Sequence, residues 1–231
     1  MTDIALVTGA SSGIGAAVAA RLLEEHYEVY GIGRDFSGCP SVSDPMFHPV
    51  VLDLRDTDAL LSFCESLPKE GLKVLVNNAG CAYYGPHETL SPGQIQEMSR
   101  VNLEAPMILS GKLLRTLREN QGYIINIASV TALAPSPHGA VYGALKAALA
   151  HFSRTLFEEN RKHGLKVSAI LPDMTDTDLY RNADFGADPA EGASLSPQDV
   201  SEAVMTVLHQ REGTVLSEII LRPQYHRIKR K

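Results

Sequence analysis

The sequence predicts an α/β fold: a doubly wound, seven-stranded parallel sheet with helices on both faces. Three observations support this prediction. Short apolar segments alternate along the chain with segments of helical period, which is the order that parallel sheets require. A glycine-rich turn directly follows the first apolar segment. The 231 residues, 44% hydrophobic and 21% charged, are enough to build one α/β domain with a large core.

The first half of the chain is predicted to contain four strands and two helices. The strands are predicted at Ile4–Thr8, Glu28–Gly33, Pro49–Leu52 and Lys73–Asn77. The helix at Ile14–Glu25 carries one apolar stripe. A second helix, Asp56–Leu67, can be capped by Asp56 or Thr57.

The second half repeats the alternation. Ser91-Pro92 and Ser196-Pro197 each combine a capping serine with proline at the first helical position, so they predict helix starts. The first opens a long helical region to about Glu119, and the second opens a helix to about Gln210. The remaining predictions are a helix from His138 to about Lys162 and strands at Ile124–Ala128, Lys166–Leu171 and Val215–Leu221.

No repeat or linker divides the chain, so we predict one domain over residues 1–231. Only the segment 178–195 lacks a clear pattern. A segment of this length inside a compact domain is usually functional, and we predict that it is a lid over a substrate.

Composition excludes several classes of protein. Residues 1–225 carry 17 basic and 27 acidic side chains, a net charge of −10, which argues against nucleic-acid binding. The last six residues, 226–231, are basic and are predicted to be a solvated end. No apolar run could span a membrane, and no secretory signal is expected at the amino terminus. Three scattered cysteines fit a reducing cytoplasm, and neither they nor the histidines have the spacing of a metal site.

The glycine-rich turn reads Thr8-Gly-Ala-Ser-Ser-Gly-Ile-Gly15 and joins the first strand to the first helix. Glycines let a backbone approach a pyrophosphate, and the helix start offers free N–H groups and a positive dipole end. A tight turn without a ligand is the alternative. The position between strand and helix favours dinucleotide binding.

A second motif is Tyr142-x-x-x-Lys146, which places a phenol and an ammonium on one helix face. A neighbouring cation lowers the pKa of tyrosine, as general acid/base chemistry near neutrality requires. Such pairs also occur without function on helix surfaces. Ser129, just after a strand, and Asn102, in the long helical region, strengthen the catalytic interpretation.

With these residues in order, the chain resembles the short-chain dehydrogenases/reductases of the simple single-domain subgroup. The markers are the glycine turn, Asp53-Leu54, Asn77-Asn78-Ala79-Gly80, and then Asn102, Ser129, Tyr142 and Lys146. The resemblance implies a Rossmann-type fold and hydride transfer between a nicotinamide cofactor and a carbonyl or alcohol. It also implies the catalytic roles: Tyr142 as general acid or base, Ser129 bonded to the substrate oxygen, Lys146 on the cofactor ribose and lowering the tyrosine pKa, and Asn102 anchoring a water.

Most of the expected cofactor residues follow the ends of predicted strands. The full set is Gly9, Ser11, Ser12, Gly13, Ile14, Gly15, Arg34, Asp53, Leu54, Asn78, Ala79, Gly80, Tyr142, Lys146, Pro172, Thr175 and Thr177.

The end of the second strand, Gly33-Arg34-Asp35, favours NADP over NAD. An acid at this place binds the ribose hydroxyls of NAD, whereas glycine leaves room for a 2′-phosphate and arginine binds one. Ser11 can add a hydroxyl. Asp35 could instead serve the ribose, or pair with Arg34.

One position departs from the family pattern. Asp173 stands where the family has glycine after the sixth strand, which affects the nicotinamide end of the site.

The substrate pocket is expected to include Cys81, Tyr83, His138, Met174 and Tyr180, and the short lid favours a small carbonyl or alcohol. A redox sensor without turnover, an NAD-preferring alcohol dehydrogenase and a sugar-nucleotide epimerase are the alternatives, the last disfavoured by chain length. The family also implies a homodimer or homotetramer that pairs through the long helices near 95–119 and 138–162.

Overall fold

The structure is a computed structural model that describes residues 2–231. Its main sheet has seven parallel strands in the order β3-β2-β1-β4-β5-β6-β8, which confirms the predicted fold class. The strands are β1 Ile4–Thr8, β2 Glu28–Gly33, β3 Phe47–Val51, β4 Leu72–Asn77, β5 Tyr123–Ile127, β6 Lys166–Pro172, β7 Phe185–Ala187, β8 Glu218–Leu221 and β9 Ile228–Arg230. The helices are α1 Gly13–Glu24, α2 Thr57–Ser66, α3 Pro92–Ser99, α4 Ala105–Glu119, α5 Ala140–Asn160 and α6 Pro197–Leu208.

Helices cover both faces of the sheet. One apolar cluster packs α1 and α6 against the sheet, and a second packs α2, α4 and α5 against the other face. The strands are therefore apolar on both sides, as the continuous hydrophobic segments of the sequence predict. No helix within residues 2–231 combines the length and apolar character needed to cross a bilayer.

Side-chain caps fix the starts of three helices. Asp56 accepts a hydrogen bond from the Ala59 N–H at the start of α2. Ser91 and Ser196 each form a reciprocal capping box, at α3 and α6, with proline in the first turn. These caps confirm the helix starts predicted from Asp56, Ser91-Pro92 and Ser196-Pro197.

The long helical region after β4 is interrupted, although the sequence predicts it as continuous. A π-turn at Arg100–Glu104 separates α3 from α4. Pro106 explains it: proline has no N–H to give the Asn102 carbonyl, and in a regular α-helix its ring would collide with that carbonyl. The wider turn avoids the collision and places Asn102, fully buried, at the point of irregular winding.

Buried polar side chains join the two central strands to the helices beside them. Asn77 on β4 lies opposite Asn126 on β5 and donates to its side-chain oxygen at 2.8 Å. Asn126 in turn donates to the Ser153 hydroxyl on α5 at 2.8 Å, and Asn77 also donates to Ser110 on α4. All four are at most 2% exposed. The network fixes the register of the strands whose ends carry the candidate site.

The predicted lid, residues 178–195, is more ordered than its sequence suggests. It contains β7, which pairs antiparallel with β9. The prediction that residues 226–231 are a solvated end is therefore wrong in part: their side chains are exposed, but their backbone forms a strand against the lid. Three-residue strands are too short to produce a readable alternation, and the partner lies about forty residues away in the chain.

Several predicted boundaries also shift by two or three residues; the third strand, for example, runs Phe47–Val51 instead of Pro49–Leu52. The helix expected from His138 begins at Ala140, because His138 has a left-handed backbone (φ 64°) that an α-helix excludes. The last strand of the main sheet begins at Glu218 rather than Val215.

Candidate active site

A cavity lies at the carboxyl ends of the central strands, where open α/β sheets bind ligands. Most predicted site residues line it: Gly9, Ser11, Ser12, Gly13, Ile14, Arg34, Asp53, Leu54, Asn78, Ala79, Gly80, Cys81, Tyr142, Lys146, Pro172, Thr175, Thr177 and Tyr180. Six do not reach its wall: Gly15, Asn102, Ser129, Tyr83, His138 and Met174.

The glycine turn forms a cradle in which two positions, Gly9 and Gly13, carry no side chain. Gly9 and Gly13 have left-handed backbones (φ 68° and 55°), and both line the cavity. Gly15 has a different role from the one predicted. A Cβ there would lie 2.1 Å from the Gly9 carbonyl oxygen, so this glycine allows α1 to pack against the turn.

The first N–H groups of α1 have no side-chain cap. Ser12 occupies the capping position but makes no capping hydrogen bond, and the first turn holds no acid. The N–H groups of this turn therefore stay available, and the positive end of the dipole is not neutralised by the helix's own side chains. Uncapped N–H groups beside a glycine cradle fit a pyrophosphate.

At the end of β2, Arg34 lines the cavity and forms no ion pair with any residue of 2–231. A Cβ on the adjacent Gly33 would lie 2.9 Å from the Phe36 ring and 3.0 Å from the Ser11 side chain. Asp35 neither lines the cavity nor pairs with Arg34. Its carboxylate accepts hydrogen bonds from the Ser37 N–H and hydroxyl, at 2.9 and 3.0 Å. Of the two alternatives for Asp35, the ion pair with Arg34 is absent, and binding of the ribose by Asp35 stays a prediction.

Arg55 is a cavity residue that sequence reasoning missed. It donates to both oxygens of Asp53, at 3.0 Å from its Nε, and pairs with Glu97 at 3.4 Å. Hydrogen bonding from Arg55 lowers the pKa of Asp53, and Arg34 adds a weaker effect. The position of Arg55, two residues after Asp53, is a sequence signal for this ion pair. The contact with Glu97 has no such signal, because Glu97 lies on α3, far away in the sequence. Glu97, Val101 and Arg181 also line the cavity without having been predicted.

Tyr142 and Lys146 are buried neighbours that both line the cavity. Lys146 donates to the Ile127 carbonyl at 2.7 Å, and its Nζ lies 5.7 Å from the centroid of the Tyr142 ring. Both residues are buried, at 4% and 3% exposure. Burial lowers the pKa of Lys146 to about 8.

The pKa of Tyr142 contradicts the sequence-based expectation. Burial raises this pKa well above its usual value, the nearby Tyr84 and Tyr180 raise it further, and hydrogen bonding with Ser129 opposes the rise. We expected Lys146 to lower it. Desolvation is the largest cause, because burial disfavours the charged phenolate.

Asn102 and Ser129 support the site from behind its wall. The Asn102 amide donates to the carbonyls of Cys81 and Met98, at 2.8 and 2.9 Å, and its oxygen accepts from the Cys81 N–H. It therefore holds the loop after β4 in place. Ser129 caps a short helical turn, accepting from the Thr131 N–H at 3.2 Å.

An aromatic group covers Tyr142. The Tyr84 ring centroid lies 5.9 Å from that of Tyr142, 6.1 Å from Tyr180 and 5.0 Å from Phe185. Burial raises the pKa of Tyr180 to about 12. Tyr180 and Phe185 belong to the lid, so the lid contributes rings to the surroundings of the phenol. Tyr84 and Phe185 were missed by sequence reasoning, which chose Tyr83.

Three predicted pocket residues lie elsewhere. Tyr83 turns its hydroxyl to Glu97 at 2.7 Å. His138 is exposed at a left-handed turn, where its carbonyl accepts from the Gly85 N–H. Met174 is buried and absent from the cavity wall. Adjacent residues in extended or turning backbone point in opposite directions, which one sequence cannot resolve.

The three cysteines are buried free thiols. Cys81 lines the cavity, but burial raises its pKa to about 11, so it is not a nucleophile at neutral pH.

Comparison with known proteins adds a family context. Residues 3–186 match the family model described as short chain dehydrogenase. An uncharacterized oxidoreductase of Staphylococcus aureus is 31% identical over 232 residues, covering 96% of this chain and 98% of that protein.

Two solved structures with bound cofactor are similar throughout. An alcohol dehydrogenase from Thermococcus sibiricus, complexed with 5-hydroxy-NADP, has a TM-score of 0.88 at 26% identity, covering 98% of this chain and 99% of that one. A metagenomic short-chain oxidoreductase in complex with NADP has a TM-score of 0.81 at 30% identity, covering 96% and 97%.

Proposed function

The chain belongs to the short-chain dehydrogenase family and is an oxidoreductase of that family; from this premise we propose that it transfers a hydride between NADP(H) and a small carbonyl or secondary alcohol. One observation carries the proposal. A buried tyrosine and lysine line the same cavity as a glycine cradle with an uncapped helix start. The cofactor would supply the hydride, and the protein supplies orientation and the proton.

The residues that line the cavity fit a dinucleotide along its length. The Gly9–Gly13 turn and the N–H groups of α1 would hold the pyrophosphate. Lys146, beside the tyrosine and close to Gly80, would bind the ribose next to the reacting ring. Side chains larger than glycine would fill the cradle, because a Cβ on Gly9 would lie 2.9 Å from Ala79.

Tyr142 is the proposed general acid. A phenol with a raised pKa keeps its proton at neutral pH, so it is ready to donate to a carbonyl oxygen. Ser129, which hydrogen-bonds with Tyr142, would share that oxygen. In carbonyl reduction Tyr142 would give up this proton, and in alcohol oxidation it would take one back.

Arg34 supports NADP as the cofactor. Its guanidinium lines the cavity without an ion-pair partner among residues 2–231, while Asp35 is engaged with Ser37. A free guanidinium beside a glycine suits a 2′-phosphate. The Thermococcus sibiricus enzyme and the metagenomic enzyme carry NADP-type ligands, which agrees with this choice.

A panel of small ketones, aldehydes and secondary alcohols, assayed with NADPH and with NADH, tests the proposal. We expect NADPH oxidation with at least one carbonyl, and a loss of about 10²- to 10⁴-fold in kcat in Tyr142→Phe with the NADPH Kd unchanged. Tyr123→Phe, at the opposite end of the sheet, is the matched control. NADPH binding without turnover across the panel would instead indicate a cofactor sensor, and faster turnover with NADH would reject the NADP assignment.

Two further expectations remain proposals. The three buried free thiols support work in a reducing cytoplasm. Assembly as a homodimer or homotetramer would use α4 and α5, and light scattering on the purified chain measures it.

A further inference from the structure

The last ten residues, 222–231, run along the lid rather than away from the protein. The N–H of Tyr225 donates to the Gly192 carbonyl at 2.9 Å, and that of Arg227 donates to Ala193 at 3.0 Å. Beyond them, β9 pairs with β7 through three residues. Lys231 completes the contact: its N–H donates to Asp184, and its Nζ donates to the Tyr180 carbonyl at 2.7 Å.

Asp173 anchors the beginning of this segment to the cavity wall. Its two carboxylate oxygens face His226 at 3.1 Å and Arg222 at 3.5 Å. One oxygen also accepts from the Met174 N–H at 2.8 Å, and the Asp173 N–H donates to the Leu221 carbonyl. The Asp173 side chain is 9% exposed, whereas the side chains of Arg222 and His226 are more than half exposed. This is the position where the family has glycine, which could make none of the side-chain contacts.

The lid residues that the segment holds are the ones that surround the phenol. Tyr180 receives Lys231 on its carbonyl, and Phe185 is the first residue of β7. Both rings contact Tyr84, which packs on Tyr142. A continuous path of contacts therefore runs from Asp173 through the terminal segment and the lid rings to the proposed acid.

We propose that residues 222–231 are a C-terminal strap, anchored on Asp173, that holds the lid over Tyr142 and so builds the substrate side of the cavity. Asp173, Arg222 and His226 are positioning residues in this arrangement. Residues 178–195 form only one short strand and one helical turn, so the lid has little regular structure of its own. The strap supplies the contacts that keep the lid ordered.

Limited trypsin digestion of the full-length protein tests the strap without any substrate. The bond after Arg181, an exposed lid residue, is the reporter. In a chain ending at Pro223, and in the Arg222→Ala/His226→Ala double variant, we expect cleavage there to be about tenfold faster or more. Asp173→Gly should accelerate it severalfold. Lys229→Ala, whose exposed side chain makes no hydrogen bond or ion pair with residues 2–231, is the control and should match the wild type.

A kinetic measurement, which rests on the proposed function, adds a second readout. The substrate is a carbonyl compound that the panel shows to be reduced. The strap variants should raise its KM about tenfold and change kcat less, because the lid would be displaced while Tyr142 stays in place. Equal cleavage after Arg181 in all variants would overturn the strap. Faster cleavage together with no turnover in any protein, wild type included, would keep the strap and reject the reductase proposal. The point variants decide the matter if the shortened chain does not fold.

Discussion

Replacing Arg34 with alanine tests the proposal that this residue lets the cavity distinguish NADPH from NADH. The guanidinium is exposed, lines the cavity and has no ion-pair partner among residues 2–231. Its removal should therefore leave the fold intact and affect only a ligand that carries the 2′-phosphate.

The size of the effect follows from a charge-assisted hydrogen bond. Such bonds contribute about 1.5–3 kcal/mol, and each 1.4 kcal/mol is about a tenfold change in affinity. Because Arg34 is exposed, water and salt screen its interaction, so the lower end of the range applies. We expect Arg34→Ala to weaken NADPH binding about tenfold, to leave NADH binding unchanged, and to make NADPH binding less sensitive to salt.

The assay is a fluorescence titration of both reduced cofactors into the wild type and two variants. Arg115→Ala is the matched control, because Arg115 is an exposed arginine on α4 that pairs only with Glu119 among residues 2–231. An equal loss of NADPH and NADH affinity in Arg34→Ala would show that Arg34 acts on the common part of the dinucleotide. No change in either would refute the reasoning about the end of β2.

Three further predictions concern the wall and the core of the site. Gly33→Asp introduces the acid that binds the ribose hydroxyls of NAD. Its Cβ would lie 2.9 Å from the Phe36 ring, so the variant should lower the free energy of unfolding in urea by about 1–3 kcal/mol and should not by itself confer a preference for NADH. Gly33→Asp combined with Phe36→Ala should bind NADH more tightly than Gly33→Asp alone. Burial lowers the pKa of Lys146 to about 8 in the folded protein, whereas the ordinary value in the unfolded chain is 10.5. The unfolded chain therefore binds more protons between these pH values, and from pH 8 to about pH 9.5 the free energy of unfolding should rise by about 2 kcal/mol more in the wild type than in Lys146→Met. Parallel plots of unfolding free energy against pH for the two proteins would contradict the lowered pKa. Ser153→Ala leaves the buried Asn126 amide without its acceptor and should lower the free energy of unfolding, measured by chemical denaturation, by about 1–3 kcal/mol. An unchanged free energy would show that the buried polar network does not stabilise the fold.

The fold and most of the cavity wall could be predicted because their signals are local. A strand that runs into Gly9-Ala-Ser-Ser-Gly13 determines where the cradle lies, and Ser91-Pro92 determines where a helix starts. Parallel strands then bring all their carboxyl ends to one edge of the sheet. Residues far apart in sequence, such as Arg34 and Asn78, thus line one cavity without any pairwise signal.

What could not be predicted depends on contacts across long sequence separations. Tyr84 rather than Tyr83 covers Tyr142, because the turn after β4 decides which ring faces inward. The raised pKa of Tyr142 depends on its burial and on the nearby Tyr84 and Tyr180, and no spacing in the sequence encodes these surroundings. The pairing of β7 with β9 joins two segments of three residues each, neither long enough to show a pattern.

The π-turn at Arg100–Glu104 makes the length of this helical region as important as its composition. One residue changes the direction of a helix face by about 100°. The wide turn already accommodates one residue more than regular winding would, so a further insertion here would turn the buried face of α4, with Leu109 and Leu113, away from the sheet. A deletion would restore regular winding and bring the Pro106 ring against the carbonyl four residues before it. Neither penalty applies in the turn at Gly213, where no neighbouring atom lies within 4 Å of a Cβ. Natural or engineered insertions and deletions should therefore be tolerated in the turn before β8 and not between α3 and α4.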